Sequence, residues 1–112
     1  MNDELLKRIQ RLEYHQRLLL QLIKGEQAPF TKLIIEKNLD EEEVKAFHNL
    51  CEYMNNKMEE QKAEGFLYFH PLFQEFTSKL NSKLDAKETV IACIKEKVYL
   101  DLMKEFYKYV ED

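Results

Sequence analysis

The stretch EKNLDEEEVKAFHNLCEYM, residues 36–54, carries a helix end, a corner and a helix start in quick succession. Asn38 suits the end, Leu39 the corner, and Asp40 with Glu43 three residues on forms a capping box. Leu39 and Val44 stand at the positions of a hydrophobic staple across that start. Beyond it Val44, Phe47, Cys51, Met54 and Met58 recur every three or four residues, which predicts an amphipathic helix running to Gly65. A helix, a corner and a second helix also describe a helix-turn-helix DNA reader. Charge separates the two readings, because a recognition helix brings its N-terminal residues to the DNA, where phosphates must be neutralised. Here those residues are Glu41, Glu42 and Glu43, whose carboxylates complement the helix dipole and repel phosphate. The stretch reads as a packing corner; nucleic acid is not an expected partner, and a transcriptional regulator stays an alternative.

Working outward, the same capping device recurs at Asp85 with Glu88, predicting a last helix over Ala86 to Val110 with Ile91, Ile94, Val98, Leu102 and Phe106 as its stripe. Pro29 and Pro71 each suit the first turn of a short helix. The first of these carries Phe30, Leu33 and Ile34, and the second aligns Phe69, Phe73, Phe76 and Leu80 along one face. A long first helix is predicted from Asp3, as N-cap, to Lys24, with Gly25 as the stop. Only two Gly and two Pro interrupt a chain of 112 residues, so helix propensity prevails almost throughout. The reading is a single all-α domain over residues 1–112, a compact bundle of about five helices: a long N-terminal one, two more long ones and two short. A chain of this length can bury roughly two-thirds of its unfolded surface.

The first helix holds the most regular pattern. Leu5, Ile9, Leu12, Gln16, Leu19 and Ile23 alternate four and three apart, a heptad seam in which Gln16 is the one polar member. Leu6, Leu20 and Leu22 widen it. This helix also holds every arginine, Arg8, Arg11 and Arg17, and Arg makes planar two-point contacts with carboxylates. These residues suit an acidic partner surface, such as the helix-three acids of another subunit. Arg8 falls at a g position and Glu13 at an e position, where a parallel partner helix would pair them. The expected partner is a second copy, a dimer being favoured, or another protein, with the seam and the three arginines as the candidate interaction residues.

Chemistry finds little footing. Ser78 and Ser82 lie outside any Gly-rich elbow, and two glycines 40 residues apart cannot form a phosphate loop. His48, Cys51 and Glu52 share a helical side, but Cys51 belongs to the apolar stripe and no second ligand cluster exists. A di-iron bundle needs Glu-x-x-His pairs, and Leu12, Lys45 and Leu67 precede His15, His48 and His70 by three. No enzyme, cofactor or metal is expected. Phe66, Tyr68, Phe69, Phe73 and Phe76 form an aromatic box that reads first as core. An apolar groove, and with it a small-molecule-binding bundle, is the second reading. Base stacking would need a basic groove as well, and Lys79 is the sole cation over residues 64–80.

Net charge is -4, with residues 40–64 strongly acidic and residues 1–24 basic. Two distant cysteines without metal-type spacing, acids where a leader would be basic, and an apolar run (residues 18–23) too short to span a bilayer place the expected location in the cytoplasm, away from membranes.

The segments RLEYHQRLLL, PFTKLIIEKNLDEEE, QKAEGFLYF, KLNSKLDAKETVIA and YLDLMKEF together resemble, in order and over nearly the whole chain, the YhaI-like family of small Bacillus proteins. The resemblance implies an all-helical fold and supplies no activity, cofactor or site residue.

Overall fold

A computed structural model describes residues 2–23 and 28–111. Among the described residues six helices follow one another: α1 (Asp3–Leu22), α2 (Pro29–Glu36), α3 (Glu41–Ala63), α4 (His70–Lys79), α5 (Ala86–Glu96) and α6 (Leu100–Tyr107). The domain is all-α, with no strand among the described residues. Helix α5 packs on α2 and α6, and α3 packs on α4 and α6. Their shared core holds Phe30 and Leu33 from α2, Phe47, Cys51, Met54 and Met58 from α3, and Leu72, Phe73 and Phe76 from α4. Val90 and Cys93 from α5 and Leu102, Met103 and Phe106 from α6 close it.

The capping box at Asp40 forms as expected: the Glu43 N–H donates to Asp40 Oδ1 (2.8 Å) and the Asp40 N–H to Glu43 Oε1 (3.0 Å). At Asp85 only half of it forms. The Glu88 N–H donates to Asp85 Oδ2 (3.0 Å), while the Glu88 carboxylate lies 3.5 Å from Lys37 on the neighbouring helix. The cap of α1 is Asn2, whose Oδ1 accepts the Leu5 N–H at 2.7 Å, so Asp3 is a first-turn acid and not the expected N-cap. The expected stop at Gly25 falls outside the described residues.

Helix α3 ends as expected at Gly65, which takes φ +94°. The Gly65 N–H donates to the Lys62 carbonyl and the Phe66 N–H to the Gln61 carbonyl, the paired bonds of a Schellman end. Asn38 (φ 58°) ends α2 in the same way, with Leu39 N–H reaching the Ile34 carbonyl at 3.0 Å.

The expected helix over Ala86 to Val110 is two helices. Lys97 (φ 62°) and Tyr99 (φ 50°) are both left-handed, and the Val98 N–H closes α5 on the Cys93 carbonyl at 2.8 Å. No Gly or Pro marks this break in the sequence. Its cause is tertiary. The Tyr99 hydroxyl lies 3.1 Å from His48 Nδ1 and 3.4 Å from the His48 carbonyl on α3, and its ring packs against the imidazole. The turn sends α6 back over the core, where Leu102 and Phe106 of the expected stripe are fully buried. Ile91, Ile94 and Val98 are only half-buried, because the core side of α5 is Thr89, Val90, Ala92 and Cys93.

A left-handed L-residue costs roughly 1–2 kcal/mol relative to the right-handed helix, part of which glycine returns as greater freedom of the unfolded chain. Lys97→Gly is therefore expected to stabilise the fold by about 0.5–1 kcal/mol, measured as a higher urea midpoint with unchanged cooperativity.

Candidate interaction surface

Helix α1 is 20 residues of DELLKRIQRLEYHQRLLLQL, and none of them is buried. At 1.5 Å per residue it spans about 30 Å. The seam expected from the heptad spacing stands open to solvent: Leu5 is 46% exposed, Ile9 39%, Leu12 67% and Leu19 60%. Gln16 is also exposed, while Ile23, just beyond the helix, is half-buried. Leu6 and Leu22, which widen the stripe, are exposed as well. Gln16 shares one shallow depression, of about 360 Å³, with Ile34, Ile35, Asn38 and Leu39, so the body end of the seam borders the apolar corner between α2 and α3. Arg8, Arg11 and Arg17 are exposed, and the Arg17 guanidinium lies 5.8 Å from the Tyr14 ring centre. Among the described residues no ion pair involves these arginines.

The five aromatic candidates do not come together as a groove. Phe69, Phe73 and Phe76 are buried; Phe76 and Phe73 lie 4.9 and 5.4 Å, respectively, from Phe106 between ring centres. Phe66 and Tyr68 are exposed on the α3–α4 connection, with Leu67 between them 91% exposed. Phe66, Leu67 and Tyr68 stay outside in succession, and only Phe69, immediately before α4, turns inward. The Tyr109 hydroxyl fixes that point by accepting the Phe69 N–H at 3.0 Å and donating to Glu105 at 3.0 Å.

An open groove of about 490 Å³, which the sequence reading did not anticipate, runs between α2 and α5. Leu33, Ile91 and Ala92 line its floor, and Lys32, Glu36 and Lys95 are on its rim. Its rim pairs with itself, as Lys32 does with Glu36 at 3.8 Å, and neither histidine nor cysteine lines it.

Cys51 and His48 serve packing, while Glu52 is exposed. Cys51 is fully buried, and burial pushes its thiol well above the ordinary range; the Cys93 thiol is pushed up to about 12 for the same reason. His48 sits among Phe30, Phe47 and Tyr99, with ring centres 5.7–6.4 Å away. No helix is long and apolar enough to cross a membrane among the described residues.

Polar ties hold the body's corners together, away from α1. Glu96 at the end of α5 caps α2 from 65 residues away: the Phe30 and Thr31 N–H groups donate to Oε1 (both 3.1 Å) and the Thr31 hydroxyl to Oε2 (3.0 Å). Ala28, which precedes α2, has no side chain able to do this. Glu43 accepts from Lys83 (2.9 Å) and Asn81 (2.8 Å) as well as from Asp40, and Lys83 also reaches the Asn38 carbonyl (3.1 Å). These donors, Lys83 foremost, hold the Glu43 carboxyl at about 2. Lys79 and Lys57 do the same for Glu75, also held at about 2.

Depressed carboxyl values stabilise the fold when these groups are ionised. That contribution is complete above the ordinary value of 4.5 and is lost as pH falls from there towards 2. Thermal midpoints measured from pH 6 to pH 2 should fall across that window, and Glu43→Gln should lower the midpoint at pH 6 while flattening the acid decline.

A family described as Protein of unknown function (DUF1878) has a sequence model that matches residues 1–111, a span that includes the open seam of α1 and the whole helical body, and the chain belongs to that family.

Proposed function

We propose that this protein is a cytosolic, non-enzymatic protein–protein interaction module that self-associates through α1. The observation carrying this reading is that a heptad seam of Leu5, Ile9, Leu12 and Leu19, interrupted only by Gln16, lies on a helix that buries no residue in its own chain. Full burial of one Leu or Ile side chain is worth roughly 1.5–3 kcal/mol. A lone helix of 20 residues is only marginally stable in water, so a stripe of this length gains both its burial and its order from a partner. The basic α1 and the acidic start of α3 add electrostatic support, since Arg8, Arg11 and Arg17 can meet carboxylates such as Glu41 and Glu42 of another subunit. Resemblance to the YhaI-like proteins accords with this reading by adding a helical fold and no catalytic residue.

The α2–α5 groove favours a second reading, a small-molecule-binding bundle, because its open, apolar floor is large enough for a modest ligand. A raised thermal midpoint with one compound from a metabolite panel, lost in Ile91→Lys, would support that reading.

Sedimentation equilibrium tests the first. The chain should sediment as a dimer at micromolar concentration, and Leu12→Asp should weaken association roughly 100-fold, about 2.8 kcal/mol, with the helical body still folded by circular dichroism. Gln16→Leu should tighten association and broaden the range of assembled species, because a polar a position fixes register at a cost in stability. A wild-type chain that stays monomeric at the highest soluble concentration would remove the proposal.

A further inference from the structure

Resting on that reading, we infer that the second copy's α1 lies parallel to the first and in register, as a two-stranded coil with the two helical bodies at the same end. Heptad positions decide between the two possible orientations. Ile9, Gln16 and Ile23 are a positions and Leu5, Leu12 and Leu19 are d positions, and β-branched a residues with Leu at d favour two parallel strands. In register, Gln16 meets the second copy's Gln16, so each amide has a partner able both to donate and to accept. Arg8 at g then faces the second copy's Glu13 at e, and symmetry makes this contact twice.

Reversing one helix so that Ile9 faces the second copy's Leu19 changes each of these layers. Gln16 would face Leu12, again twice, leaving two amides buried without a partner, the costly case for a polar group. Glu13 would lie beside the second copy's Glu13, a like-charge contact. The reversed pair gains Leu6 against the second copy's Leu20, an apolar contact at the edge of the seam. Two unpaired amides and a carboxylate pair outweigh it. Because the seam is exposed along α1, the chain's own body blocks no part of the parallel arrangement from Leu5 to Leu19. At its body end the apolar corner of Ile34, Ile35 and Leu39 beside Gln16 offers the incoming helix a side wall.

Disulfide trapping in the full chain distinguishes the orientations, since the native Cys51 and Cys93 are fully buried and withdrawn from mild oxidation. Ile9→Cys alone and Leu19→Cys alone, both on α1 and exposed, should each crosslink to its own copy, and sedimentation should give the mass of two chains. Crosslinking only when the two variants are mixed would establish the reversed orientation and overturn the inference, while leaving self-association intact. A dimer that crosslinks in none of these combinations, or a mass of three or more chains, would also overturn it. A chain that does not associate before any cysteine is introduced would instead remove self-association itself.

Discussion

The body of this protein depends on a turn that its local sequence would not choose. Lys97 and Tyr99 both adopt left-handed conformations, and only this lets α6 fold back onto α3 and α5 instead of extending α5 into solvent. The backbone cost is met by the Tyr99 contact with His48 and by the complete burial of Leu102, Met103 and Phe106 that follows. Phe76 then packs on Phe106, and Tyr109 fixes the start of α4 through the Phe69 N–H. Without the turn these contacts have no geometry in which to form.

Charged side chains at the corners hold the resulting arrangement. Glu96 caps a helix whose own sequence supplies no cap, and Glu43 completes its local capping box while also receiving Asn81 and Lys83 from the α4–α5 connection. Each carboxylate therefore joins elements distant in the chain. Specificity of assembly is the natural role of such contacts, because they demand geometry that an apolar core alone does not. Helix α1 differs from the body: it has a good N-cap and first-turn acids, yet its apolar stripe faces solvent. Local helix signals and tertiary burial have come apart there, and that separation is what the proposed association through α1 rests on.

Both cysteines are core side chains with raised thiol values, His48 is engaged with Tyr99, and the α2–α5 groove has an ordinary ion-paired rim over an apolar floor. The family to which the chain belongs is one of unknown function, and among the described residues α1 carries a long regular stretch of exposed apolar side chains.

Much of the fold could be read from the sequence because its signals are local. The capping box at Asp40, Pro29 and Pro71 in their first turns, Gly65 at its helix end and the α3 stripe from Phe47 to Met58 are each set by neighbours within a few residues. The heptad seam of α1 was legible for the same reason. Tertiary structure alone decided the rest. It broke the last helix at residues bearing no breaker, because the contact of Tyr99 with His48 spans 51 residues. It divided the aromatic box into Phe69, Phe73 and Phe76 inside and Phe66 and Tyr68 outside, because the Tyr109 hydroxyl, distant in the chain, fixes the point at which the connection enters the core. It also left the α1 seam uncovered. Spacing fixes which residues share a face, but whether that face is covered depends on where the other helices lie, and in this chain they close on one another.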